Sequence, residues 1–210
     1  SEALYGVTTG TGNIGIGYRA AKSVTTTSNN IAIGNQAMED ATGAGSVISI
    51  GEYSGYNPTG ANNIFMGYQA GYGNATDKDA ASNVGIGKAA LKAITDGAQN
   101  VAIGHQAGEA LTTASNVTAV GMGAANDLTT GADGVYLGKT AGQKLTTQNY
   151  NVVIGADAMN AATGVSNSVV VGRQAMGGAA ATGDNNVAVG YRAAYDTTTG
   201  YENTFIGYLA

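Results

Sequence analysis

The chain has no cysteine, no tryptophan, a single proline (Pro58) and a single histidine (His105), and only 11% of its 210 residues are charged. Without cysteine there is no disulfide staple and no thiolate metal site. One proline beside 34 glycines that do not recur at every third position excludes collagen. Disorder combines low hydrophobicity with high charge, and a chain that is 43% hydrophobic with net charge −5 does not fit it. The mild acidity argues against nucleic acid or an anionic membrane surface as partner. No stretch approaches the ~20 apolar residues of a membrane helix. Residues 1–17 lack the basic segment and apolar run of a secretion signal.

What the chain does have is a period. Gly17, Gly34, Gly51, Gly67, Gly87, Gly104, Gly121, Gly138, Gly155, Gly172, Gly190 and Gly207 follow one another at steps of 17, 17, 16, 20, 17, 17, 17, 17, 17, 18 and 17 residues. Each follows a short apolar run, and all but one precede an alanine three residues on; Ser54 is the exception. A period this short means stacked repeats. The sequence therefore predicts an all-β fold: a parallel β-solenoid or β-roll of about twelve 17-residue coils, one array over 1–210 and a segment of a longer fibrous protein. At ~4.8 Å per coil the rod would be roughly 55–60 Å long.

With the repeat glycine as position 0, position −1 is aliphatic throughout, from Ile16 to Ile206. Position −3 is Ile or Val except for Thr118 and Thr204. These two positions share one face of a strand, and β-branched residues suit it. They are expected to fill the inner face. Position −2 is never charged (Gly15, Ala32, Ser49, Phe65 and so on). It is expected to face outward against another chain, because strands buried on both faces lose their polar alternation. Two buried aliphatics per repeat is a thin core, which also favours an oligomer. The alanine at +3 implies packing with no room beyond a methyl. Asn recurs at −4 (Asn13, Asn30, Asn63, Asn83, Asn100, Asn151, Asn186, Asn203) and predicts an amide ladder along the stack. Thr recurs at −9, among turn residues. Two irregularities stand out. Ser46 and Asn116 sit one place before the usual Asn, as a bulge would put them, and the long step after Gly67 predicts a protruding loop over Asn74–Asp79.

Catalytic chemistry would show as polar residues breaking the repeat in one place, and none does. His105 stands at +1, a variable column, with no base or orienting partner in the sequence. Asp40, Asp127 and Asp196 share position +6 in distant copies. Residues 12–17 are glycine-rich without the strand–helix context of a nucleotide loop. Asn74-Ala-Thr76 and Asn116-Val-Thr118 match the glycosylation pattern as chance would in such a composition. No enzyme activity, cofactor or metal is expected. The candidate contact residues are Tyr18, Tyr68, Tyr191 and Tyr208 at +1, which suit a host glycan or protein or else pack over the next coil. The paired threonines, such as Thr112-Thr113, point opposite ways and spoil the flat array of an ice-binding solenoid.

The segments Asn30-Ile-Ala-Ile-Gly34-Asn-Gln-Ala37, Asn100-Val-Ala-Ile-Gly104-His-Gln-Ala107 and Asn186-Val-Ala-Val-Gly190-Tyr-Arg-Ala193 resemble two related groups. One is the head repeat of trimeric autotransporter adhesins, a left-handed parallel β-roll with three chains side by side. The other is the repetitive shaft of bacteriophage tail fibres, to which Asn203-Thr-Phe-Ile-Gly207-Tyr-Leu-Ala210 and the Thr-Thr-Gly turns are more similar. Adhesin head repeats are shorter than the period here. The resemblance implies a homotrimeric structural segment of a phage tail fibre, located in the virion and supporting host attachment, with no membrane insertion. The alternatives are the head of a bacterial surface adhesin that binds host or matrix ligands and, less so, a secreted ice-binding solenoid.

Overall fold

The computed structural model describes residues 2–57, 60–73 and 80–210. Each repeat contributes one three-residue strand. These are β1 (Ile14–Ile16), β2 (Ile31–Ile33), β3 (Ile48–Ile50), β4 (Ile64–Met66), β5 (Val84–Ile86), β6 (Val101–Ile103), β7 (Thr118–Val120), β8 (Val135–Leu137), β9 (Val152–Ile154), β10 (Val169–Val171), β11 (Val187–Val189) and β12 (Thr204–Ile206). They form one parallel sheet in sequence order, each strand bonded to the next, so the chain is a β-solenoid of about eleven turns. Pairing is in register, with Ile31 opposite Ile48 and Ala102 opposite Ala119. No helix is present among the described residues.

The facing of the strands is the reverse of the expectation from the sequence. Position −2 points into the coil: Ala32, Ala102, Tyr136 and Val170 are fully buried. Positions −3 and −1 point outward, giving strands a half-exposed, buried, half-exposed or exposed pattern. The physical reason is space. A 17-residue coil encloses a narrow interior already shared by the +3 alanine column, from Ala20 to Ala193, and by the buried residues of the turns. Small side chains fit there, and branched aliphatics at two positions per strand do not. The core is also richer than two residues per repeat. Position +7 supplies Val24, Ile94, Leu111, Leu128 and Leu145, and position +4 supplies Met38, Leu91, Met159 and Met176, all buried. Each is worth roughly 1.5–3 kcal/mol.

In some coils volume is exchanged between columns −2 and +4. Where −2 is large, +4 is glycine: a Cβ on Gly142 would lie 2.4 Å from Tyr136 Cδ1, and one on Gly71 would lie 2.2 Å from Phe65 Cδ1. In the coils of Ala32 and Gly85, where −2 is small, +4 is Met38 and Leu91, whereas Ala102, Ala119 and Ala188 stand with Gly108, Ala125 and Ala194. The repeat glycines have a different reason. Gly104 has φ +137°, and a Cβ there would meet the Gly121 carbonyl oxygen at 2.5 Å. Only glycine supplies both that backbone angle and that approach.

The amide ladder exists and is buried. Asn100 Nδ2 donates to Asn83 Oδ1 at 3.0 Å and to the Ala114 carbonyl at 2.8 Å, while its Oδ1 accepts from the Val117 N–H at 2.9 Å. Asn30, Asn83, Asn151 and Asn186 bridge coils in the same way. Ser46 and Asn116 do not mark bulges. Strand pairing runs through both repeats without a shift, and Val47 and Val117 occupy the buried ladder position instead. The threonine column forms a second ladder: Thr95, Thr112 and Thr129 each donate Oγ1–H to the carbonyl of the threonine one coil on, at 2.9–3.1 Å. The loop expected over Asn74–Asp79 lies outside the described residues.

Candidate interaction surfaces

Three surfaces depart from an ordinary solvated coil. The first is the outer face of the sheet. Columns −3 and −1 place Ile, Val, Leu and Met side by side from β1 to β12, interrupted only by Thr118 and Thr204. Ile16 is 58% exposed, Ile103 38% and Val169 40%. The stripe is ~50 Å long, with ~7 Å between its column centres. A continuous apolar strip of that extent is unusual on a solvated surface. Parallel sheets are covered on both faces almost without exception. Polar groups flank the stripe at −5, among them Asn29, Ser82, Asn116 and Asn185.

The second surface gathers tyrosines of the third and fourth repeats. Tyr56 and Tyr72, both at +5 and one coil apart, stack at 5.1 Å with 13° between their rings. Tyr53 meets Tyr56 at 5.9 Å, Tyr68 at 6.3 Å and Tyr72 at 6.3 Å. Burial pushes the Tyr56 phenol up to about 12, and the neighbouring Asp40 and Glu39 carboxylates push the same way. Lys88 lies 5.9 Å from the Tyr68 ring. Glu39 is itself buried, held by Arg19 Nη1 at 3.1 Å and by Gln36.

The third surface lies in the last three repeats. Tyr191 and Tyr208 stack at 5.3 Å. The guanidinium carbons of Arg173 and Arg192 lie 5.0 and 5.4 Å from the Tyr191 centroid, and Arg192 also lies 4.7 Å from the Tyr195 ring.

Of the tyrosines singled out from the sequence, the structure brings Tyr191 and Tyr208 together and sets Tyr68 in the cluster of four. Tyr18 stands apart, with Arg19 5.2 Å over its ring. Tyr191 and Tyr208 pack on one another across coils, and Tyr68 and Tyr208 are 42% and 74% exposed. Arg192 stands beside Tyr191 in the sequence, but nothing in the column of +1 tyrosines singles out Tyr53, Tyr56, Tyr72 or Arg173. A signal for two of them was present, because Tyr56 and Tyr72 share column +5 in consecutive repeats and a shared column means stacking one coil apart. His105 is exposed, and no described hydrogen bond or ion pair uses its ring. Of the +6 acids, Asp127 pairs with Lys144 at 2.8 Å and Asp40 accepts from the Ser23 hydroxyl at 3.4 Å. Among the described residues no three His, Asp or Glu side chains are grouped to hold a metal ion. No helix among them is long and apolar enough to cross a membrane.

Neither the family models, nor the curated proteins, nor the solved structures compared with this chain give a match.

Proposed function

We propose that the chain is a non-enzymatic structural segment of a phage tail fibre, supporting host attachment as a homotrimer whose protomers meet on the outer faces of their sheets. The observation that carries this reading is the aliphatic double column at −3 and −1, unbroken by charge along the whole array. Burying such a stripe against identical stripes is favourable at about 25 cal/mol per Å² of apolar surface removed from water. It also covers the second face of a parallel sheet, as such sheets require. The partner is a copy of the same chain, because only another repeat of equal rise stays in step with twelve strands from end to end. Position −2, buried inside the coil, is not available to a partner, so the reading rests on −3 and −1. A rod stiffened by two hydrogen-bond ladders and a continuous sheet suits a spacer that carries load. The head of a bacterial surface adhesin remains the second reading, favoured by the two tyrosine-rich lateral surfaces, which a pure spacer does not need.

Light scattering combined with sedimentation equilibrium tests the assembly. The expected mass is three times the 20.7 kDa of one chain. Ile103→Glu together with Val120→Glu should release folded monomers, while Ser82→Glu beside the stripe should leave the trimer intact. A wild-type chain that stays monomeric at micromolar concentration refutes the assembly. Antibody raised to the segment should label the fibres of purified virions; labelling of bacterial surfaces instead favours the adhesin reading.

A further inference from the structure

We propose that Arg173, Arg192, Tyr191 and Tyr195 form a lateral binding site for a carboxylate-bearing saccharide. The site does not depend on whether the rod belongs to a fibre or an adhesin. Its residues lie past the repeat glycine, on the turns that follow β10 and β11, and off the apolar stripe. The observation behind it is a pair of positive charges without a counter-charge. Elsewhere, Arg19 pairs with Glu2 and Glu39, Lys22 with Glu2, Lys92 with Glu109 and Lys144 with Asp127, while Lys88 and Lys139, also outside these pairs, belong to the repeats of Gly87 and Gly138 and do not share one ring as Arg173 and Arg192 do. Neither Arg173 nor Arg192 forms an ion pair among the described residues, although the chain carries five more acidic than basic groups. Asp196, the acid next to Tyr195, is paired with neither. Both guanidinium carbons sit close to one ring, so the two charges are no more than about 10 Å apart.

Neutral groups hold these arginines in place. Arg192 Nε donates to Gln174 Oε1 at 2.9 Å, and its plane lies beside Tyr195. Arg173 Nη2 donates to the Tyr191 hydroxyl at 3.3 Å. Tyr208 covers the neighbouring coil's Tyr191 ring and fixes its orientation. This arrangement orients the forks without cancelling their charge. The Nη groups of Arg192 and the Nε and Nη1 of Arg173 keep donors with no described partner. A planar fork with free parallel donors suits a carboxylate held by two hydrogen bonds. The Tyr191 and Tyr195 hydroxyls, each donor and acceptor, suit the hydroxyls that flank a carboxylate on a sugar ring. A polyphosphate chain such as nucleic acid fits less well, because two arginines on an acidic rod supply no extended positive track.

The test is titration calorimetry of the assembled wild-type segment with trigalacturonate, with maltotriose as the neutral sugar and triglutamate as the non-sugar polyanion. Trigalacturonate should bind, weaken as salt is raised, and lose at least tenfold in affinity in the Arg173→Gln, Arg192→Gln double variant. Arg173→Gln alone, at an exposed position, should lose several-fold, and it serves if the double variant does not fold. Tyr195→Phe should weaken trigalacturonate and leave triglutamate unchanged. No binding of trigalacturonate by the wild type overturns the proposal, as does retention of affinity in the glutamine variants. Equal binding of maltotriose overturns the role of charge, and equal binding of triglutamate overturns the saccharide. All these outcomes are read at unchanged oligomeric mass, so failure here is separate from failure of the trimer.

Discussion

The buried amide ladder yields the sharpest prediction. Replacing Asn100 by alanine removes three hydrogen bonds at once, two donated by Nδ2 and one accepted by Oδ1. Two of the partners are backbone groups inside the coil, the Ala114 carbonyl and the Val117 N–H, and alanine gives them nothing in exchange. Water has no evident route to them, since Asn83, Asn100, Ala114 and Val117 are all buried. Each orphaned buried group costs about 1–3 kcal/mol, so the loss is about 2–6 kcal/mol for the pair. In a stacked array that loss is felt first at the interface between neighbouring repeats. Chemical denaturation should show the reduced stability, and hydrogen exchange should place it. The Val117 amide should exchange at least ~30-fold faster, the equivalent of about 2 kcal/mol, while amides of the first and last repeats change little. His105→Ala, at an exposed ring without partners, is the control and should change stability by less than ~0.5 kcal/mol. If Asn100→Ala costs no more than that control, the ladder contributes nothing and the reasoning fails.

Two further perturbations address the core and the glycine column. The Tyr136 hydroxyl is buried beside Asn151 without making a hydrogen bond, and burial pushes its phenol up to about 12. Tyr136→Phe should therefore be neutral or stabilising by about 1 kcal/mol in denaturation at neutral pH. The Tyr136 contribution to wild-type stability should hold up to pH ~10 and fall by about 3 kcal/mol as pH rises from there through 12, because the unfolded chain ionises first. That component of the loss should be missing in the phenylalanine variant, and identical alkaline profiles for the two chains would refute the assignment. Gly104→Ala should destabilise by more than ~3 kcal/mol, since it combines a forbidden φ of +137° with a contact of 2.5 Å to a carbonyl oxygen. Recovery of a soluble protein with an unfolding midpoint near wild type would overturn it.

Periodic features were legible in the sequence because a stack converts a column of residues into a line of contacts. The glycine column gave the repeat, the Asn column gave the ladder, and the alanine column gave tight packing at +3. The facing of the strands was not legible from polarity, since −3, −2 and −1 are nearly all apolar and alternation carries no information when both faces are. Parity would have resolved it. Asn at −4 and the residue at −2 lie on the same side of a strand, and a continuous ladder of amides with every bond satisfied belongs inside the coil. Reading the ladder as internal puts Ala32, Ala102 and Ala188 inside with it and turns the isoleucines outward. The Ser46 and Asn116 irregularities dissolve under the same logic. Val47 and Val117 stand on the inner side, where an aliphatic residue needs no explanation.

The lateral sites were harder to read because they are assembled from different columns. Tyr53 is at +2, Tyr56 and Tyr72 at +5 and Tyr68 at +1, so no single column reports the cluster of four. Arg173 at +1 of the preceding coil and Arg192 at +2 of the same coil likewise flank Tyr191 from different columns. A repeat scaffold spends its strict columns on the ladder, the glycine bend and the core, and leaves +1, +2 and +5 free of those constraints. Variation there costs little stability, as His105, Lys139 and Arg173 at one column illustrate. Specific chemistry on such a rod should therefore be sought where neighbouring free columns converge on one aromatic side chain. By that criterion the turns after β10 and β11, with two unpaired guanidinium groups on one tyrosine, outrank the turns after β3 and β4, where the tyrosines chiefly satisfy one another and adjoin acids already engaged with Arg19 and Ser23.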